Sequence, residues 1–193
     1  MKLYFITASE NKLQEIRSLF SDTEYKVSKI NLNLPEIQAI NSKDVIIAKV
    51  KYAIKKTKKK NIFVEDTGLH FSYLNGFPGA LTKWFYLRNG SKKIYSLLKN
   101  KGNYNAQATT VIGYYDGDNI HCFTGTISGK IVYPRGKNGF SWDNIFVPKG
   151  YTKTFAEMEI SEKNKISMRK KAVRKFIIHL KKSITIKNKP IKK

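Results

Sequence analysis

Acidic residues are scarce in this chain, 14 against 37 Lys and Arg, so the places where they gather mark candidate chemistry. Glu65 and Asp66 stand side by side in "VEDTGL", directly after the apolar run Ile62-Phe63-Val64. That run predicts a short buried strand ending at the acids, and side chains at the carboxyl end of such a strand face a ligand crevice. Adjacent carboxylates repel unless a cation neutralises them, and Mg²⁺ shared with phosphate oxygens needs only one or two carboxylates. The other reading is that Asp66 caps a turn built by Thr67-Gly68, and the residues alone leave both open. Glu36, in "LPEIQ", either completes a metal site or is simply exposed.

Three further segments carry chemistry. "TASENK" (residues 7–12) follows a predicted strand and opens a helix, so free backbone N–H groups, the positive end of the helix dipole and Lys12 would attract an anion. "GFSWDNIF" sets Phe140 and Trp142 beside Asp143, which suits a purine ring, one group stacking and the other accepting a hydrogen bond; Trp142 packing the core is the alternative. In "EKNKISMRKKAVRKF" the apolar stripe of the last helix, carried back from Val173 and Phe176, passes near Arg169. An arginine rarely lies along a buried face without a partner, so it pairs with a core acid or faces a ligand. His70, His121 and His179 are far apart, Cys122 sits in a β pattern, and none is given a role.

The elements that would position these groups follow from periodicity. "LYFIT" reads as a first strand, Ser9 as the N-cap of a helix carrying Leu13, Ile16, Leu19 and Phe20, and "YKVSKINL" as a second strand. A helix over residues 43–59, a Gly/Pro loop from residue 75, a helix over 91–99 and a hairpin turning at "DGDN" come next. A loop-rich stretch with one short strand leads to a last helix ending near Lys182. The expected organisation is one domain over residues 1–182 and a basic, flexible tail over 183–193.

Bulk properties set the class. A hydrophobic content of 41% is globular, no apolar run reaches the 18 or so residues of a membrane span, the first residues lack the length of a signal peptide, and the single cysteine excludes an intramolecular disulfide. A cytoplasmic protein without membrane contact is expected. The net charge of +23 is spread along the chain, so it reads as a lysine-biased surface rather than a nucleic-acid site.

Taken together and in order, "TASENKLQE", "LPEIQ", "VEDTGL", "NGFPG", "TISGKIV", "GFSWDNIFVPKGYTKTFAEM" and "EKNKISMRKKA" resemble the inosine triphosphate pyrophosphatase family, from about residue 2 to 180. The resemblance implies an α/β fold: an elongated central mixed sheet flanked by helices, with two lobes and a substrate cleft between them, in a homodimer. It implies Mg²⁺-dependent hydrolysis, with Mn²⁺ as a substitute, of ITP, dITP or XTP to the monophosphate and pyrophosphate. Carried over, Asp66 activates water, and Glu36, Glu65 and Asp66 hold the metal. Thr7, Ser9, Lys12, Lys49, Thr67 and Lys163 fall at triphosphate- or substrate-holding positions, and Phe140, Ser141, Trp142, Asp143, Met168 and Arg169 in the base-recognition segments. The chain departs from the family pattern at Ser9, Asn144 and Met168, where the family has Asn, Pro and His. Met cannot donate a hydrogen bond, which would cost about 1–3 kcal/mol of base discrimination. The same hydrolysis with relaxed base choice is therefore the alternative. A nucleic-acid-binding protein on a decayed hydrolase fold is the alternative of a different class.

Overall fold

In the computed structural model, which describes residues 1–99 and 101–187, the apolar run at the N-terminus forms β1 (Lys2–Ile6) and the loop after it feeds α1 (Glu10–Phe20). Ser9 caps that helix as expected, its hydroxyl accepting from Lys12 N at 3.3 Å. β2 (Lys26–Ile30) and α2 (Ser42–Thr57) follow. Then come β3 (Ile62–Phe71), the two-residue β4 (Pro78–Gly79), α3 (Thr82–Lys99), β5 (Asn105–Tyr115), β6 (Ile120–Ile131) and β7 (Phe146–Pro148). The chain ends in α4 (Ile160–Ile166) and α5 (Met168–Lys187).

The strands make one seven-stranded sheet in the order β2-β1-β3-β5-β6-β7, with β4 also on β3. β1 is parallel to β2 and β3, and all other pairings are antiparallel, so the sheet is mixed and open. Strand alternation sorts the core onto two faces. Phe5 and Phe63 stack with centroids 4.7 Å apart and pack with α1 and α5, while Ile6, Ile62 and Val64 pack with α2. A third apolar cluster, around Phe71, Ile94, Phe146 and Phe155, fills the far end of the sheet under α3.

Two expectations about elements change. β3 does not stop at its acids but runs ten residues, because antiparallel β5 pairs with it from Ile62↔Tyr115 to Phe71↔Ala106. The helix expected from residue 91 begins at Thr82, in what the sequence presents as loop; Gly90, at φ 65° and ψ 171°, breaks it into two helical segments and so hides its period. At the C-terminus α5 continues to Lys187. The rest of the expected tail, 188–193, lies outside the described residues. No helix among the described residues is long and apolar enough to cross a membrane.

α5 lies so close to β6 that only glycine fits between them. A Cβ at Gly125 would stand 2.5 Å from Ala172 N and closer still to Met168 O. Gly125→Ala must push the start of α5 off the sheet and is expected to cost about 1–3 kcal/mol, read as a lower urea midpoint. Lys130→Ala, on the exposed face of the same strand, should stay within about 0.5 kcal/mol of the parent.

Candidate active site

β3 is flanked by two different strands on one edge, and neither reaches its middle. β1 pairs with Ile62 and Phe63, β4 with Leu69 and His70, and between them Val64 to Gly68 have no neighbour on that side. Glu65, Asp66 and Thr67 sit in this window. The acids therefore stand at the carboxyl end of β1, inside β3 rather than at its end. Alternation then separates them. Glu65 and Thr67 share the face of Phe63, toward α1 and α5, and are hydrogen-bonded to each other. Asp66 shares the face of Val64, toward α2.

On the first face a buried chain of alternating charges crosses the molecule. Asp143 Oδ2 accepts from Lys163 Nζ at 2.7 Å, and Lys163 Nζ also donates to Glu15 Oε1 at 2.8 Å. Glu15 pairs with Arg169 Nη1, Arg169 Nη2 donates to Glu65 Oε2 at 3.2 Å, and Lys12 Nζ lies 3.5 Å from the same oxygen. Three carboxylates and three cations thus neutralise one another across α1, β3, the turn at Ser141–Ile145, α4 and α5. Burial would lift the Glu65 carboxyl, but Arg169, then Lys12, overcome it and hold the group down at about 2. Glu15 behaves alike, burial opposing and Arg169 with Lys163 prevailing. At Asp143 burial wins: the carboxyl is raised despite Lys163 and the Phe140 N–H, with the Glu15 charge adding to the effect.

On the second face Glu36 and Asp66 converge on one ammonium. Lys49 Nζ donates to Glu36 Oε1 at 3.1 Å and to Asp66 Oδ1 at 3.0 Å, and Lys83 Nζ reaches Glu36 Oε2 at 3.3 Å. Burial would lower the Lys49 ammonium, but Asp66 and Glu36 keep it above its ordinary value. Glu36 is held low by Lys49 and Lys83 against the upward push of burial.

These groups line two joined hollows. A cleft of about 330 Å³ is walled by Lys12, Glu36, Asp66 and Thr67 at one end, by Phe140, Ser141, Trp142 and Asp143 at the other, and by Lys163, Met168 and Arg169 below. A second hollow of about 240 Å³ holds Thr7, Ser9, Lys49 and Glu65 and shares Lys12, Glu36 and Lys83 with the first. The long axis is thus cationic and acidic at one end and aromatic at the other. Thr7 Oγ1 accepts from Ser9 N at 3.0 Å, fixing the loop ahead of α1. The Phe140 ring lies 5.1 Å from Lys163 Nζ and 5.9 Å from the Arg169 guanidinium carbon.

Every nominated residue lines one of the hollows, but Glu65 and Lys163 sit differently from expectation. Glu65 points to the opposite face of β3 from Asp66 and pairs with Arg169. Among the described residues no three His, Cys, Asp or Glu side chains gather as metal ligands. Lys163 stands with Phe140, Glu15 and Asp143, outside the hollow that holds Thr7, Ser9 and Lys49. Trp142 is both pocket wall and core: it is 5% exposed and packs on Phe146. The sequence reading missed Glu15 and Lys83. Glu15 had a signal, since it follows Lys12 by three and precedes Ile16, and so shares the inward face of α1. Lys83 had none, because the helix carrying it was not visible.

A sequence model of the Ham1 family matches residues 3–179. The chain is 38% identical over 185 residues to a dITP/XTP pyrophosphatase of Thermococcus kodakarensis, covering 95% of this chain and 100% of that one. It is 40% identical over 184 residues to the inosine triphosphate pyrophosphatase of Saccharomyces cerevisiae, covering 91% and 93%. Among solved structures it resembles a HAM1 protein from Coxiella burnetii, with TM-score 0.79, 26% identity and coverage of 94% and 99%.

The buried charge chain makes stability depend on acid. Glu65 falls from 4.5 to about 2 on folding, worth on the order of 3 kcal/mol. A lowered carboxyl contributes fully above its unfolded value and loses that contribution as pH falls. The urea midpoint should therefore drop between about pH 4.5 and pH 2, less steeply in Glu65→Gln. Glu15→Gln, which removes one negative charge from between two buried cations, should cost about 3–5 kcal/mol at neutral pH.

Proposed function

The chain belongs to the Ham1 family, and on that premise we propose that it hydrolyses non-standard purine nucleoside triphosphates, ITP, dITP and XTP, to the nucleoside monophosphate and pyrophosphate. The observation that carries the reading is the shape of the site: an aromatic compartment and a cation-and-carboxylate compartment joined through Lys12, Glu36 and Lys83. A nucleoside triphosphate has the same two-part chemistry.

The triphosphate lies along the loop before α1, where Thr7, Ser9, the helix N-terminus and Lys12 meet its negative charge. Thr67, in the edge window of β3, contacts the substrate between the two compartments. Glu36 and Asp66 fit a divalent cation, because two carboxylates already converge on one positive atom, Lys49 Nζ. Mg²⁺, or Mn²⁺ in its place, would there offset charge on the phosphate oxygens. Glu65, tied to Arg169 and Lys12, positions those cations instead of joining Glu36 and Asp66. Asp66, on the cleft wall with Lys49 donating to one of its oxygens, accepts the proton of the attacking water. Lys49 and Lys12 balance the charge that develops as the phosphate bond breaks.

At the other end the base rests among Phe140, Trp142 and Met168. Arg169, held in place by Glu15 and Glu65, offers its N–H groups to a 6-oxo oxygen; a 6-amino group would set donor against donor. Lys163 holds Asp143, which in turn fixes the Phe140 N–H at 2.9 Å. Ser141, at φ 58°, turns the chain between the two aromatics. A second reading, relaxed base choice, is favoured by Met168: it is 1% exposed and supplies the pocket a sulfur where a donor would sharpen selection. The same proposal includes a cytoplasmic location and a homodimer; the exposed apolar side chains Phe77, Trp84 and Leu87, on and before α3, support the second copy.

Incubation with ITP and Mg²⁺ should release pyrophosphate, and chelation should stop it. Asp66→Asn and Glu36→Gln should each lower turnover by about 10²–10⁴-fold with an unchanged circular dichroism spectrum. No release from ITP or XTP overturns the proposal. Comparable rates on ITP, GTP and ATP establish the relaxed reading in place of the selective one.

A further inference from the structure

At the β6–β7 end of the sheet two concavities share Ser128, Pro148, Lys149 and Tyr151 and include none of the cleft residues. The first, about 560 Å³, carries Lys149, Lys165, Lys170, Lys171 and Arg174 and no acidic residue. All five cations are exposed, and none is in an ion pair among the described residues. Lys170 and Arg174 are one helical turn apart on α5. Lys171 is partly committed, its Nζ donating to Thr126 O at 3.0 Å on the part of β6 that β7 does not cover. The second concavity, about 480 Å³, is polar, with Lys130 and Lys149 and no acidic residue in its lining. Its floor is the outer face of the β5–β6 pair, where the register Asn105↔Lys130 and Gln107↔Ser128 sets amide, ammonium and hydroxyl groups side by side, all exposed. Tyr151, 42% exposed, stands where the two halves meet.

We propose that these two adjoining concavities together form a second binding site, for single-stranded nucleic acid. A basic track for the backbone, an aromatic face on which a base stacks and amide or hydroxyl groups beside it are the parts such a site needs. A lipid surface would use the cations but has no call on a concave floor of Asn105, Gln107 and Ser128. The cations come from α4, α5 and the turn after β7, which is why the dispersed charge of the sequence gives no sign of them as a group.

The test is fluorescence anisotropy of a short labelled oligothymidylate against the full chain, over a potassium chloride series. Saturable binding is expected, with log affinity falling against log salt by about 0.7 per phosphate contacted. Lys149→Glu, Lys170→Glu and Arg174→Glu combined should weaken it at least about tenfold and flatten the salt slope, leaving ITP hydrolysis unchanged. Tyr151→Ala alone should weaken it by about fivefold or more with the slope retained. Charge-matched reversal at Lys51, Lys55 and Lys60, exposed on or just after α2, should have little effect. Equal loss in the two triple variants, no saturable binding at low salt, or tighter binding to phosphatidylserine vesicles than to the oligonucleotide each overturns the proposal. Because hydrolysis of ITP is read separately, failure of either proposal leaves the other standing.

Discussion

The site depends on one electrostatic constraint: Arg169, almost fully buried, must have its charge answered inside the protein. An unpaired buried cation costs several kcal/mol, so the fold brings Glu15 from α1 and Glu65 from β3 to it. Each acid then needs, and has, a second cation, Lys163 and Lys12. The alternation ends at Asp143, whose remaining acceptor capacity fixes the Phe140 backbone. One requirement thereby ties together the three elements that wall the base compartment and the helix whose N-terminus faces the phosphate compartment.

The geometry of the sheet supplies the second constraint. Because β1 stops short and β4 starts late along the same edge of β3, five residues of a central strand are left without a neighbour there. Elsewhere such an edge would invite pairing with another chain. Here part of it, at Asp66 and Thr67, lines the cleft, and its alternation sends Glu65 and Asp66 to opposite sides. Two neighbouring acids thus do two different jobs. Glu65 belongs to the structural charge chain. Asp66, with Glu36 and Lys49, faces the cleft and is left partly open to it.

Much of this was legible from local pattern. The strand–loop–helix at "TASENK", the hairpin at "DGDN" and the apolar stripe of α5 are short-range features governed by propensity and period, and all formed as read. The failures share a cause. β3 outran its predicted end because a distant strand paired with it, and α3 was hidden because Gly90 interrupts its period. The period of α1 turns Glu15 inward, but what it meets there was not legible, because its partners lie 148 and 154 positions away.

By itself the sequence determined the residue types and the local elements: acids at 36, 65 and 66, a polar loop opening α1 with Lys12 in its first turn, aromatics beside Asp143 and an arginine on an apolar stripe. Those follow from side-chain chemistry and from periods of two and 3.6 residues. Only the tertiary structure decided which acid answers which cation. The same holds for the five cations beside β6, which separate segments bring to one concavity. Charge pairing acts over a few ångströms, and sequence separation fixes no distance beyond a helical turn or a strand register; packing alone sets it.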